Sequence, residues 1–130
     1  MSSETGKKIK INIFGESHGP AIGAVADNLP AGERIDFEEL QSFMLRRQGG
    51  NNSCSTPRKE ADVPEIVSGV RDGLTTGAPL CILIRNEDAR PQDYKVDIPR
   101  PGHADFAAYA KYDGFCALRG GGHFSGRLTA

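Results

Sequence analysis

The run LCILI at residues 80–84 is apolar at every position. Successive side chains of a strand point to opposite faces, so such a run has to be covered on both sides. A chain that carries it must build layers, with this strand inside them. Other segments supply neighbours for it. Residues 8–14, KIKINIF, alternate with a period of two and put Ile9, Ile11 and Ile13 on one face. Residues 21–29, AIGAVADNL, and residues 65–70 are further strand candidates, and Asp72-Gly73 marks a turn.

One helix is signposted at both ends. Asp36 is a good N-cap, Glu39 follows three residues later as in a capping box, and Gly49-Gly50 stop the run. Phe37, Leu40, Phe43 and Met44 form its expected apolar stripe. At about 100° per residue, Arg47 falls within that stripe and Arg46 points away from it. A cation directed inward needs an anionic partner. Residues 104–112 form a second, shorter helix, with Phe106, Tyr109 and Ala110 expected inward. Mixed strands and helices give an α/β or α+β class.

The balance of 16 basic and 17 acidic residues leaves a formal charge of −1, so there is no overall attraction to nucleic acid or to an acidic membrane surface. With 130 residues the chain can hold one domain with a modest core. Cys54, Cys81 and Cys116 are far apart and odd in number, which fits reduced thiols in a cytoplasmic protein better than a disulfide framework or a zinc knuckle. No apolar run approaches the roughly 20 residues of a membrane span. The chain stops at GRLTA, at the end of a glycine cluster with no closing helix, strand or polar tail, and a fragment of a longer protein is the expectation.

Chemistry concentrates in three glycine-bordered turns. FGESHG, at 14–19, carries Ser17 and His18. RPGHAD, at 100–105, carries Arg100 and His103. RGGGHFSGR, at 119–127, carries His123, Ser125 and Arg127. All three histidines of the chain lie in these turns, and histidine is the side chain best matched to proton transfer near neutrality. Glycine clusters let backbone N–H groups approach a phosphate, and Arg47, Arg100, Arg119 and Arg127 can clamp phosphates and carboxylates. Zinc held by His18, His103, His123 and Asp105 is a competing reading, without a compact ligand pair to support it. Ser17 adjoins His18 outside any G-x-S-x-G elbow, which argues against a hydrolase. A non-catalytic, stand-alone anion-binding module is the rival from another class.

In order along the chain, FGESHG, the PAG turn, the helix ending in Arg46-Arg47 with its glycine-rich loop, TPRKEAD, TTGAP, IRNEDARPQDY, RPGHAD and RGGGHFSGRLTA resemble chorismate synthase from about residue 8 to the last residue. The resemblance implies a β-α-β sandwich, here the N-terminal part (residues 1–130) of a single domain, assembled as a cytoplasmic homotetramer when complete. It implies 1,4-elimination of phosphate from 5-enolpyruvylshikimate 3-phosphate to give chorismate, with reduced FMN required. By the same resemblance His18 protonates the departing phosphate, His103 manages protonation of the reduced flavin, and Ser17 helps relay the abstracted proton. Arg47, Arg100 and Arg127 match substrate-holding positions, and His123, Phe124 and Ser125 match a flavin-contacting stretch. Arg47 and Ser53 stand at positions the family directs towards a nicotinamide nucleotide (NADP). Serine at 53, where a basic residue is usual, weakens that last assignment.

Overall fold

The computed structural model describes residues 3–47, 62–87 and 98–116 together with Gly122, and for Arg47 the backbone alone. Its principal sheet is antiparallel throughout. It contains β1 (Glu4–Thr5), β2 (Lys10–Gly15), β3 (Ala21–Asp27), β4 (Pro64–Ser68) and β7 (Leu80–Arg85), in the order β1-β2-β3-β7-β4. LCILI thus lies between β3 and β4, but its two faces are not both covered: Ile84 is buried beside Ile22 of β3, its register partner, while Leu80 to Leu83 are half-buried. The mixed α/β reading holds: α1 (Phe37–Arg47) and α2 (Asp105–Lys111) accompany the sheet.

β2 and β3 form a hairpin whose register runs from Lys10↔Asp27 to Gly15↔Ile22. Its tip is the GESHG turn. Gly15 is obligatory there. Its φ is +117°, and a Cβ would stand 2.6 Å from the Ile22 Cα. β4 ends in a register shift between Ile66 and Ser68, and Gly69 at φ +85° redirects the chain into β5 (Val70–Arg71). β5 pairs with β6 (Leu74–Thr75) around Asp72-Gly73, both at positive φ, as a tight hairpin turn demands.

Thr75 ties this small hairpin to the segment that launches α1. Its hydroxyl donates to the Pro30 carbonyl at 2.6 Å and accepts from the Glu33 N–H at 2.9 Å. Backbone bonds between Thr75 and both Gly32 and Glu33, and from Ile35 N–H to the Gly73 carbonyl, complete the seam. Asp36 then caps the helix as expected, its Oδ1 accepting from the Glu39 N–H at 2.9 Å. The apolar stripe is only partly covered, since Phe37 and Phe43 are both about half exposed. Phe37, Leu40, Met44 and Leu45 line a groove of about 440 Å³ against Val63, Pro64 and Ile66, whereas Phe43 is exposed and carries the Arg46 guanidinium 4.0 Å above its ring. Arg46 is therefore exposed, as its phase requires.

α2 buries a different face from the one its apolar residues suggest. Asp105 and Ala108 are buried, while Phe106 and Tyr109 are exposed. The buried face carries the carboxylate of Asp105, which pairs with Arg100.

Candidate functional site

Five residues, Glu16 to Pro20, cross from Gly15 to Ala21 at the hairpin tip. The turn closes on itself through the Gly19 N–H, which donates to the Glu16 carbonyl at 3.0 Å. Gly19 has no positive φ, and an added Cβ would meet Glu16 at 3.3 Å, so it is required less strictly than Gly15. The end of β7 lies alongside. Asn86 donates from its side chain to the carbonyls of Glu16 and Gly19, and from its backbone to Pro20. Ser17 and His18 are half-buried. The Ser17 N–H donates to the carbonyl of Gly122 at 3.1 Å, which sets Gly122 beside the first turn.

The RPGHAD turn is organised around Asp105, which is 3% exposed. Its Oδ2 accepts from the backbone N–H and the Nε of Arg100, each at 2.9 Å, and Oδ1 accepts from Nη2 at 3.3 Å. Hydrogen bonds from the Arg100 side chain hold this carboxyl below the usual carboxylate range, against the desolvation that burial imposes. The Arg100 backbone N–H, the Arg100 charge and, less, His103 lower it further. His103 folds back on the same turn: its N–H donates to the Arg100 carbonyl, and its Nδ1 lies 3.1 Å from the Pro101 carbonyl. A carbonyl only accepts, so Nδ1 carries the proton in this pairing and Nε2 is left to exchange one. Ala104 is held in the left-handed region at φ 57°, directly between His103 and the helix.

Of the expected site residues, Ser17, His18, Arg100 and His103 are described in full. Ser53, His123, Phe124, Ser125, Arg127 and the Arg47 side chain lie outside the described residues. The hydrogen bonds given above join the first turn to Gly122, while those of the second stay within residues 100–105. Asp105, a candidate ligand in the zinc reading, instead holds Arg100, and among the described residues no cluster of three metal-ligating side chains forms. Arg100 is partly committed as well, since its Nε–Nη2 edge is on Asp105. Cys81 and Cys116 are unbonded thiols. The groove beside α1 contains none of the histidine-turn residues.

Asn86 and Asp105 were not singled out in the sequence as organisers of these turns. An amide directly after the last strand residue, and opposite charges five positions apart across Pro-Gly, were the available signals.

Comparison with known proteins agrees with this geometry. The family model described as chorismate synthase matches residues 9–130. A chorismate synthase from Campylobacter lari is 50% identical over 122 residues, covering 94% of this chain and 33% of that protein. One from Methanocaldococcus jannaschii is 48% identical over 126 residues, covering 95% and 33% respectively. A solved structure described as chorismate synthase superimposes with a TM-score of 0.59 at 30% identity, over 84% of this chain and 26% of the other. The chain spans about a third of the length of the curated relatives it matches. No helix among the described residues is long and apolar enough to cross a membrane. On the match over residues 9–130, the chain belongs to the chorismate synthase family.

Proposed function

We propose that this chain is the N-terminal portion of an enzyme that eliminates phosphate from 5-enolpyruvylshikimate 3-phosphate to form chorismate, in aromatic amino-acid biosynthesis. The observation that carries the reading is the Ser17 N–H bond to Gly122, which sets one residue of the third motif against the turn of the first. An acid is needed where phosphate departs, and His18 in the hairpin turn is assigned that role. Ser17 beside it relays the abstracted proton. Arg47, Arg100 and Arg127 hold the anionic groups of the substrate. Exposed apolar side chains such as Ile11 and Phe14, on opposite faces of β2, support the view that 1–130 is part of one larger domain.

Reduced FMN belongs to this reading. The donor set of the RPGHAD turn fits it: with Nδ1 of His103 on Pro101, Nε2 is the ring nitrogen suited to hold or pass a proton at a flavin nitrogen. His123, Phe124 and Ser125 are the other proposed contacts, and Arg47 with Ser53 the nicotinamide-side positions. When bound, reduced flavin supplies an electron-rich ring beside the breaking bond. The reading also implies a cytoplasmic homotetramer.

The test is anaerobic phosphate release with chemically reduced FMN. A chain of full family length beginning with this sequence is expected to be active, and residues 1–130 alone to stay at the rate without protein. In the longer chain His18→Ala should lose about 10²–10⁴-fold in rate with substrate affinity retained. His103→Ala should instead change the pH titration of the bound reduced flavin. If neither substitution alters rate or flavin titration, the turns are structural and the reading fails.

A further inference from the structure

Asn86 is the first residue after β7, and it reaches the histidine turn through three hydrogen bonds. Its Nδ2 donates to the Gly19 carbonyl at 2.7 Å and to the Glu16 carbonyl at 3.2 Å. Its backbone N–H donates to the Pro20 carbonyl at 3.1 Å. The two side-chain bonds fall on either side of Ser17 and His18. Arg85, one residue earlier, has an unrelated task in an exposed pair with Glu65 of β4.

We propose that Asn86 is the positioning residue of the Ser17–His18 turn, fixing both side chains against the sheet without touching the reacting atoms. This rests on the reading of that turn as the place where protons are transferred. The chemistry of the amide explains the residue type. A side-chain NH₂ offers two hydrogens and no charge, so one group can satisfy two carbonyls at once. Aspartate has the same shape but, ionised, can only accept, and it would face two carbonyl oxygens. Without Asn86, the turn loses the two bonds that tie the Glu16 and Gly19 carbonyls to the end of β7. A misplacement of about 1 Å between a proton donor and its target costs on the order of 10²-fold in rate. Substrate affinity, assigned to arginines on other segments, should change little.

The experiment uses the active chain of full family length, unsubstituted and as Asn86→Asp and Asn86→Ala. Phosphate release gives kcat and KM, and hydrogen exchange is followed in peptides covering 15–20 and, separately, β3. Both variants are expected to lose about 10²-fold in kcat with KM within about threefold. Exchange at the Ser17 and Gly19 amides should accelerate by about tenfold or more while β3 stays protected. Lowering the pH should recover part of the Asn86→Asp activity relative to Asn86→Ala, because a protonated carboxyl regains one donor. Unchanged exchange at the turn in Asn86→Asp overturns the proposal, and so does an equal loss of protection in the turn and β3. An unsubstituted chain that releases no phosphate would instead defeat the elimination reading, while the exchange comparison still decides what Asn86 does.

Discussion

Arg100 and Asp105 close a six-residue turn on themselves, with the Arg100 backbone N–H and Nε both 2.9 Å from one carboxylate oxygen. The partners are unequally covered, at 27% side-chain exposure for Arg100 and 3% for Asp105. The pair positions the turn that carries His103, and its carboxylate lies on the buried face of α2. Asp105→Asn keeps the shape but removes the charge and one of the acceptors. It is expected to destabilise the folded chain by about 1–3 kcal/mol, read from the midpoint of denaturant unfolding. Arg100→Lys should recover little, because a point charge cannot reproduce the Nε–Nη2 fork.

The same carboxyl sets an acid limit. Its folded pKa lies below its unfolded value, so the stabilisation is fully present above the ordinary carboxylate pKa of about 3.9 and is lost as pH falls through the lower folded value. Protection of the α2 amides, taken as their exchange relative to a free chain at the same pH, should therefore weaken at acid pH in the unsubstituted chain, with the excess exchange rising. That excess should rise less steeply in Asp105→Asn, where that proton linkage is gone. Equal slopes would show that another group controls the acid response.

Ala104 and Gly102 separate the conformational cost of this turn from its contacts. Ala104 adopts φ 57° with a side chain that disfavours it. Ala104→Gly is expected to stabilise the chain by about 0.5–1 kcal/mol once the added chain entropy of glycine is deducted. Gly102 has φ +78° and open space around its missing Cβ. Gly102→Ala should therefore cost about 1 kcal/mol with no steric component. Thermal unfolding of the two variants should shift in opposite directions.

At the hairpin tip the two glycines of GESHG should behave differently. A Cβ on Gly15 would stand 2.6 Å from the Ile22 Cα and 2.7 Å from the Ala21 carbonyl oxygen, backbone atoms that have no room to yield. Gly15→Ala is expected to cost upwards of about 3 kcal/mol, whereas Gly19→Ala should stay below about 1 kcal/mol. Similar losses at both positions would mean that the turn, rather than the strand end, sets the requirement.

The strands and the Asp36 cap were legible because each depends on neighbours in sequence: alternation in KIKINIF, uniform apolarity in LCILI, an acid placed before a helix. Phe43 and the α2 aromatics were misassigned for the opposite reason. Whether a face is buried depends on what packs against it, and among the described residues α2 covers Asp105 and Ala108 and leaves Phe106 and Tyr109 exposed. At the site, residue types marked Ser17, His18 and His103. The supports did not announce themselves, since Asn86 acts across the sheet on a turn far earlier in the chain, and no local pattern encodes that contact.

The β2–β3 hairpin has one further consequence, for its length. Its register is unbroken from Lys10↔Asp27 to Gly15↔Ile22, and Asn86 meets the loop at the height where β7 ends. The strands therefore act as a ruler that sets how far His18 stands from the sheet edge. Removing one residue from β2 would turn its apolar face over and drop the loop by about 3.3 Å, beyond the reach of the Asn86 amide. Insertions around Asn28 to Gly32, at the other end of β3, would leave that distance intact. The spacing between Lys10 and Asp27 thus fixes the height of the GESHG turn, and a chain that keeps that motif but alters the count would carry it at a different height.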